Sequence, residues 1–458
     1  MFRVRKNFLI DESGVTAIEY ALIASLIAVF IITAVTLVGG QVSTVFNEIG
    51  TTLKKSRARR PRGSGWRATI RTVGLQSAIA RGQWQRAHPP GVLDMARLAI
   101  ALSLSLILAW ASASAAERLR SYPIDPAQVS VSGLSSGAFM ANQLHIAHSA
   151  EIMGAAMIAG GLYGCAVLHA TEDGVEALDS QAAGPCLSTP FLLEDVSFYT
   201  DLVKTPARKA EIDPPSNLAR SRIYIFTGGS DSVVNSKTVE EGRAVYAALG
   251  VPSANIVFED DSGPAAKAGH SWVTKNFGGK CSANEAPYIN DCHYDQAGAE
   301  LKAIYGPDLK PPAAAPSGRI VAFDQTEFVS AGARANGLSD TGYLYVPKDC
   351  ESGAAARCRL HIVLHGCTQS SEALGAEFYT KIGVNEWADS NRIVVLYPQA
   401  HATTVAELAP QAGLTAAIDA NPYGCWNWWG YAEDPRYLTK NGVQISAIWG
   451  MVRRIEGQ

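Results

Sequence analysis

Residues 129–140 read VSVSGLSSGAFM, and this run restricts the fold more than any other stretch of the chain. Val129 and Val131 have the look of the end of a short buried strand, and 138–147 (AFMANQLHIA) reads as a helix. Between them Gly133, Leu134, Ser135, Ser136 and Gly137 fit the pattern G-x-S-x-G. A serine held on a sharp strand-to-helix turn has an exposed hydroxyl, and glycines two residues to either side let neighbouring backbone pass close by. Ser135 is therefore the candidate nucleophile. The same five-residue pattern also arises in Gly/Ser-rich turns without chemistry, so the downstream motifs decide.

Beyond residue 116, strand-like and helix-like segments alternate as in an α/β sheet. Strands are expected at 152–160, 222–226, 255–259, 319–328, 342–346, 360–364 and 393–397, and helices at 237–249, 295–305, 378–388 and 445–455. A serine nucleophile needs a histidine to take its proton, an acid to orient that histidine, and donors for the oxyanion. The strand at 222–226 runs into TGGSD and Asp231, and the strand at 255–259 leads to a loop carrying Gly269, His270 and Ser271. The order Ser135, Asp231, His270 resembles that of the α/β-hydrolases, whose acid and base each follow a late strand. Asp260 and Asp261 are the alternatives to Asp231. His293 and His365 compete with His270, but neither follows the right strand.

An oxyanion hole needs two backbone N–H groups. Ser136 supplies the first, and the strand followed by His365, Gly366 and Cys367 suits the second. That strand usually precedes the serine, yet here it follows by roughly two hundred residues. Reading from 319 through His365 to the last helix, and then on from Tyr122, restores the usual order. The expected fold class is therefore α/β, a circularly permuted α/β-hydrolase, with the proline-rich 311–316 where ancestral ends were joined. Permutation is feasible because the termini of compact domains tend to lie close together at the surface.

Residues 1–115 are a different object. They hold 14 Lys and Arg against 5 Asp and Glu, a balance of +9, whereas 116–458 hold 25 against 37, or −12, within a total of −3. Residues 18–40 are nearly uncharged and follow Arg3, Arg5 and Lys6. At ~1.5 Å per residue a helix of that length crosses the ~30 Å hydrocarbon core of a bilayer. DESGVTAIEYALIASLIAV resembles the front of the Flp-type pilins. That resemblance implies prepilin cleavage after Gly14, an assembly role for Glu19, and a pilin-like transmembrane helix over 1–57. Residues 58–94 read as a basic, disordered linker rather than a nucleic-acid partner surface. An export signal follows over 95–115, with Arg97, an apolar run at 98–110 and a small-residue cleavage site at Ala113, Ser114 and Ala115.

Two export signals conflict, because the pilin helix would set the basic linker outside, against the positive-inside tendency. The working protein is expected to start at Met95, with 1–94 a fused neighbouring reading frame or a misplaced start. Its mature region, 116–458, would be the catalytic domain, secreted or periplasmic. If 1–94 is retained, the membrane is met only through the N-terminal helix.

All eight cysteines lie in the acidic part: Cys165, Cys186, Cys281, Cys292, Cys350, Cys358, Cys367 and Cys425. An even number behind an export signal implies disulfides in an oxidising compartment, and of the 105 possible pairings those between sequence neighbours are expected. No C-x-x-C or H-E-x-x-H pattern occurs, so no metal is expected.

The pieces GLSSGAFMA, IYIFTGGSD, AGHSW, DCHYDQAGAELKAIYG, HIVLHGCTQS and GCWNWWGY are spread over the mature region. Together they resemble the polyhydroxybutyrate depolymerases, in the group with an early serine motif and a late HGC motif. The resemblance implies Ser135, Asp231 and His270 as the triad, the N–H groups of Ser136 and Cys367 as the oxyanion hole, and Trp426 as a contact for the polyester. It also implies a Cys367–Cys425 disulfide, which would tether Trp426 beside the oxyanion hole. At least one of Trp426, Trp428 and Trp429 is expected to be core packing. The implied activity is hydrolysis of poly(3-hydroxybutyrate) or its oligomers through an acyl-enzyme, without a cofactor. Many members carry a polymer-binding domain after the catalytic part, and the chain ends at Gln458, so amorphous polymer or oligomers are expected rather than crystalline polymer. A feruloyl or acetylxylan esterase, and a structural pilin carrying the C-terminal region as cargo, are the alternatives.

Overall fold

The computed structural model describes residues 116–458 apart from 171–173, 178, 264–265, 330–332, 352–355, 404–420 and 432–433. The expected pilin-like helix with Gly14 and Glu19, the basic linker and the export signal lie outside the described residues. Among the described residues no helix is long and apolar enough to cross a membrane.

Eight strands form one mixed sheet: β1 (Ile124–Leu134), β2 (Ile152–Ile158), β3 (Arg222–Phe226), β4 (Ile256–Glu259), β5 (Arg319–Asp324), β6 (Thr341–Val346), β7 (Cys358–Leu364) and β8 (Ile393–Tyr397). Their order in space is β5-β6-β8-β7-β1-β2-β3-β4. β6 runs antiparallel to both its neighbours, and all other pairs are parallel. Parallel strands are covered on both faces, which is why β7 (CRLHIVL) and β8 (IVVLY) read as apolar runs rather than alternating ones. Successive β8 residues feed two cores: Val394 and Leu396 join one, while Ile393, Val395 and Tyr397 join the other.

Helices supply the two outer layers. α1 (Ser136–Ala147), α2 (Val196–Arg208), α3 (Ser236–Ala248) and, last in the chain, α6 (Val443–Glu456) give Phe139, Leu202, Val239 and Ile448 to the first core. α4 (Gln296–Tyr305) and α5 (Val384–Asn391) give Leu301 and Trp387 to the second. α1 is buried along its whole length. The helix expected at 378–388 is in fact two, Glu377–Lys381 and α5, divided at Ile382 and Gly383. The strand expected to reach Phe328 stops at Asp324, whose Oδ1 accepts from Thr326 N–H at 2.8 Å and Thr326 Oγ1 at 2.6 Å and so opens a turn. Four disulfides join sequence neighbours: Cys165–Cys186, Cys281–Cys292, Cys350–Cys358 and Cys367–Cys425.

Candidate active site

β1 ends at Leu134 and α1 begins at Ser136, so Ser135 alone makes the turn. Its φ of 56° and ψ of −120° lie where residues with a side chain are rarely found. Close backbone approach on both sides sustains the strain. A Cβ on Gly133 would fall 2.2 Å from Gly137 O, and one on Gly137 would fall 2.2 Å from Leu364 O. Ser135 N–H donates to Ile158 O at 2.9 Å, tying the turn to the end of β2. On the other side, the register pairing Gly133 with Leu364 brings His365, Gly366 and Cys367 to the turn. Among the described residues neither Ser136 N–H nor Cys367 N–H has a protein acceptor. The first of these opens α1, where the helix carries partial positive charge.

Asp231 lies in the loop after β3 and His270 in the loop after β4. Asp231 Oδ1 accepts the N–H groups of Val233 and Val234 at 2.8 and 2.9 Å, and its Oδ2 accepts from His270 Nδ1 at 2.9 Å. The two side chains are only 1% and 5% exposed. A proton on Nδ1 shared with a carboxylate leaves Nε2 as the basic nitrogen.

The competing residues are engaged elsewhere. His365 is fully buried: Nδ1 donates to Gly366 O at 2.7 Å, Nε2 accepts Ala400 N–H at 3.0 Å, and burial lowers its pKa to about 4. His293 lies on the surface beside Asp291. Asp260 caps its own turn through Ser262, and Asp261 is exposed.

Ser135, His270 and Cys367 line one cavity of about 660 Å³. Its walls include Leu134, Ala182, Leu187, Val233, Tyr288, Tyr423, Trp428 and Trp429, and among the described residues no Asp, Glu, Lys or Arg borders it. The Cys367–Cys425 disulfide, with Cα atoms 4.2 Å apart, fastens the HGC loop to the aromatic loop that forms part of this wall. Trp426 is not part of the wall. It is 0% exposed and its Nε1 donates to His365 O at 2.9 Å, so it supports the HGC loop from behind. Trp428, stacked on Phe139 at 4.2 Å, and Trp429 are the tryptophans that face the cavity, whereas Trp426, the expected polyester contact, lies behind the HGC loop. An aromatic in an irregular loop has no periodicity from which its facing can be read.

The motifs also pass over Asn284 and Gln369, which bind the backbone of the site loops. Away from the cavity, ligand atoms of His148, Glu151 and Asp213 lie within 4.8 Å of one another. Their carboxylates are already paired with Arg453 and Lys440.

Comparison with known proteins fits this geometry. Polyhydroxybutyrate depolymerase of Talaromyces funiculosus is 36% identical over 347 residues, covering 74% of this chain and 93% of that relative. The chain belongs to the polyhydroxybutyrate depolymerase family. Poly(3-hydroxybutyrate) depolymerase of Delftia acidovorans is 39% identical over 343 residues, and there the match spans 74% of this chain and 62% of the relative's length. Among solved structures, a PHB depolymerase variant complexed with an R3HB trimer superposes with a TM-score of 0.62. The PHB depolymerase from Penicillium funiculosum gives 0.61. Both are 33% identical and are matched over 99% of their length by 74% of this chain. Unlike these depolymerase matches, residues 8–53 fit the model of the Flp/Fap pilin component.

Proposed function

We propose that this chain hydrolyses poly(3-hydroxybutyrate) or its oligomers through an acyl-enzyme on Ser135. The observation that carries the reading is a juxtaposition. Ser135 on its strained turn, and His270 held by Asp231, open on one cavity that, among the described residues, no Asp, Glu, Lys or Arg borders, beside two N–H groups without a protein acceptor there.

His270 Nε2 takes the Ser135 Oγ proton as Oγ bonds to an ester carbonyl carbon. Asp231 keeps the Nδ1 proton in place and stabilises the imidazolium. Charge moves onto the carbonyl oxygen, where the N–H groups of Ser136 and Cys367 stabilise it. Collapse of the intermediate breaks the ester C–O bond, and His270 returns its proton to the departing 3-hydroxyl end. Water, deprotonated by His270, then attacks the acyl group and frees Ser135. A neutral polyester suits a cavity that Leu134, Leu187, Val233, Trp428 and Trp429 help to line and that no Asp, Glu, Lys or Arg borders among the described residues. The names of the relatives supply the substrate class.

The fold is read as a circularly permuted α/β-hydrolase. From β5 the sheet runs β5-β6-β8-β7 and then β1-β2-β3-β4, with the second strand antiparallel, so the usual order needs only a different starting point. Tyr122 N–H donates to Ile455 O at 2.8 Å, so the two ends of this region adjoin, as opening a former connection there requires. Residues 95–115 are proposed as the export signal, 116–458 as the catalytic domain and Gly14 as a prepilin cleavage site ahead of it. Four disulfides support an oxidising, secreted or periplasmic setting.

The test is release of 3-hydroxybutyrate from an amorphous polymer suspension, lost in Ser135→Ala. Cleavage of feruloyl or acetylxylan esters without attack on polyester would overturn the substrate assignment.

A further inference from the structure

The Cys281–Cys292 disulfide closes a loop that touches three of the four elements of the site. Asn284, within this loop, accepts His270 N–H on Oδ1 at 2.7 Å and Ser232 N–H at 3.0 Å. Its Nδ2 donates to Ser230 O at 2.9 Å. One amide thus holds the backbone on both sides of Asp231 and at His270 itself. Asn290 braces the loop internally, its Nδ2 donating to Cys281 O at 3.0 Å and Ala283 O at 2.8 Å.

The far end of the same loop reaches the oxyanion side. Pro287 O and Tyr288 O accept from Gln369 Nε2 at 2.8 and 3.1 Å, while Gln369 Oε1 accepts Gly366 N–H at 2.7 Å, one residue before Cys367. Both ends of that amide are therefore spent on backbone.

We propose that the loop closed by Cys281–Cys292 aligns acid, base and oxyanion donor with one another, with Asn284 and Gln369 as the positioning residues through which it acts. The inference rests on the ester-hydrolase reading and deepens it. Asp231, His270 and Cys367 come from three separate loops, and a misplacement of about 1 Å at a reacting group can cost on the order of 10² in rate. A shared brace removes that freedom for all three at once.

The experiment is hydrolysis of a soluble ester, p-nitrophenyl butyrate, by the full chain and by Asn284→Ala, Gln369→Glu and their combination, with thermal unfolding followed in parallel. Gln369→Glu keeps the acceptor for Gly366 but turns a carboxylate oxygen toward two carbonyls. Each single variant is expected to lose about 10- to 100-fold in kcat with KM held within about twofold. The double variant should lose less than the product of the two, because both act through one loop. Unchanged kcat in either single variant, or losses that multiply, would overturn the proposal. Should Asn284→Ala fail to fold, Asn284→Asp, which keeps the shared acceptor and loses the donor to Ser230, takes its place under the same criteria. No hydrolysis by the unaltered chain would instead overturn the functional reading itself.

Discussion

Ser135 and Cys367 stand at or just beyond the ends of neighbouring parallel strands, whereas Asp231 and His270 stand on loops that run well past theirs. Ser135, the proposed nucleophile, is set by backbone: the register of β1 against β7, the ladder to β2 and two glycines packed against carbonyls. The acid–base side is set by side chains: the Asp231 carboxylate on two N–H groups, the Asn284 amide on two loops, and a disulfide. Damage to the first should therefore appear as lost stability together with lost activity. Damage to the second should appear mainly in kcat.

The largest effect is expected from Gly137→Ala. Its new Cβ would sit 2.2 Å from Leu364 O and 2.5 Å from His365 O, and Leu364 cannot retreat without breaking its pairing with Gly133 in the sheet. A loss of about 4 kcal/mol or more, with activity abolished, is the expected result in urea unfolding. Stability near that of the parent would remove the distinction between the two sides. Next is Cys367→Ser with Cys425→Ser. These residues are separated by 58 positions, so loop-closure entropy gives a loss of about 4 kcal/mol. Polyester hydrolysis should fall with it, because the HGC loop is then unfastened from the aromatic wall.

Gly269→Ala probes the other side. A Cβ there would lie 2.1 Å from Ala283 O, in the loop that carries Asn284. The expected outcome is a 10- to 100-fold fall in kcat as His270 shifts, read from steady-state kinetics, with the unfolding midpoint changed far less than in Gly137→Ala. Equal losses of stability in the two variants would contradict the comparison.

The smallest expected effect comes from pH. Burial lowers the pKa of His145 and His361 to about 3 and that of His365 to about 4. In the unfolded chain each titrates near 6.5. As pH falls below about 6.5 the unfolded chain takes up protons that the folded one does not, so the contribution of these groups is complete above that pH and declines toward about 3. The urea midpoint at pH 5 should lie below that at pH 7. The Glu300 carboxyl, its pKa raised by burial 3.8 Å from His361, acts in the opposite sense, so a midpoint that rises toward pH 5 is the result that would count against neutral, buried imidazoles beneath Ser135.

The same contrast explains what is legible in the sequence. Glycine spacing around Ser135, the apolar run before His365 and the chain order of Asp231 and His270 are local signals, because backbone geometry is written in adjacent residues. Asn284 and Gln369 leave no such trace: Asn284 holds His270 across 14 residues and Gln369 holds Pro287 across 82, and an amide in a loop reads the same whether or not it holds a backbone. Trp426 and Trp428 differ by two positions, yet one supports the HGC loop and the other faces the cavity. The break at Gly383 was hidden for a related reason, since an apolar pattern continues across the turn while the chain changes direction.

Ser135 is proposed to carry the acyl group of a polyester. Mass spectrometry of the chain quenched in acid during turnover of 3-hydroxybutyrate oligomers tests it most directly. The expected result is a 3-hydroxybutyryl adduct on the peptide that contains Ser135, absent in Ser135→Ala. Continued hydrolysis by Ser135→Ala, or an adduct on another residue, would contradict it.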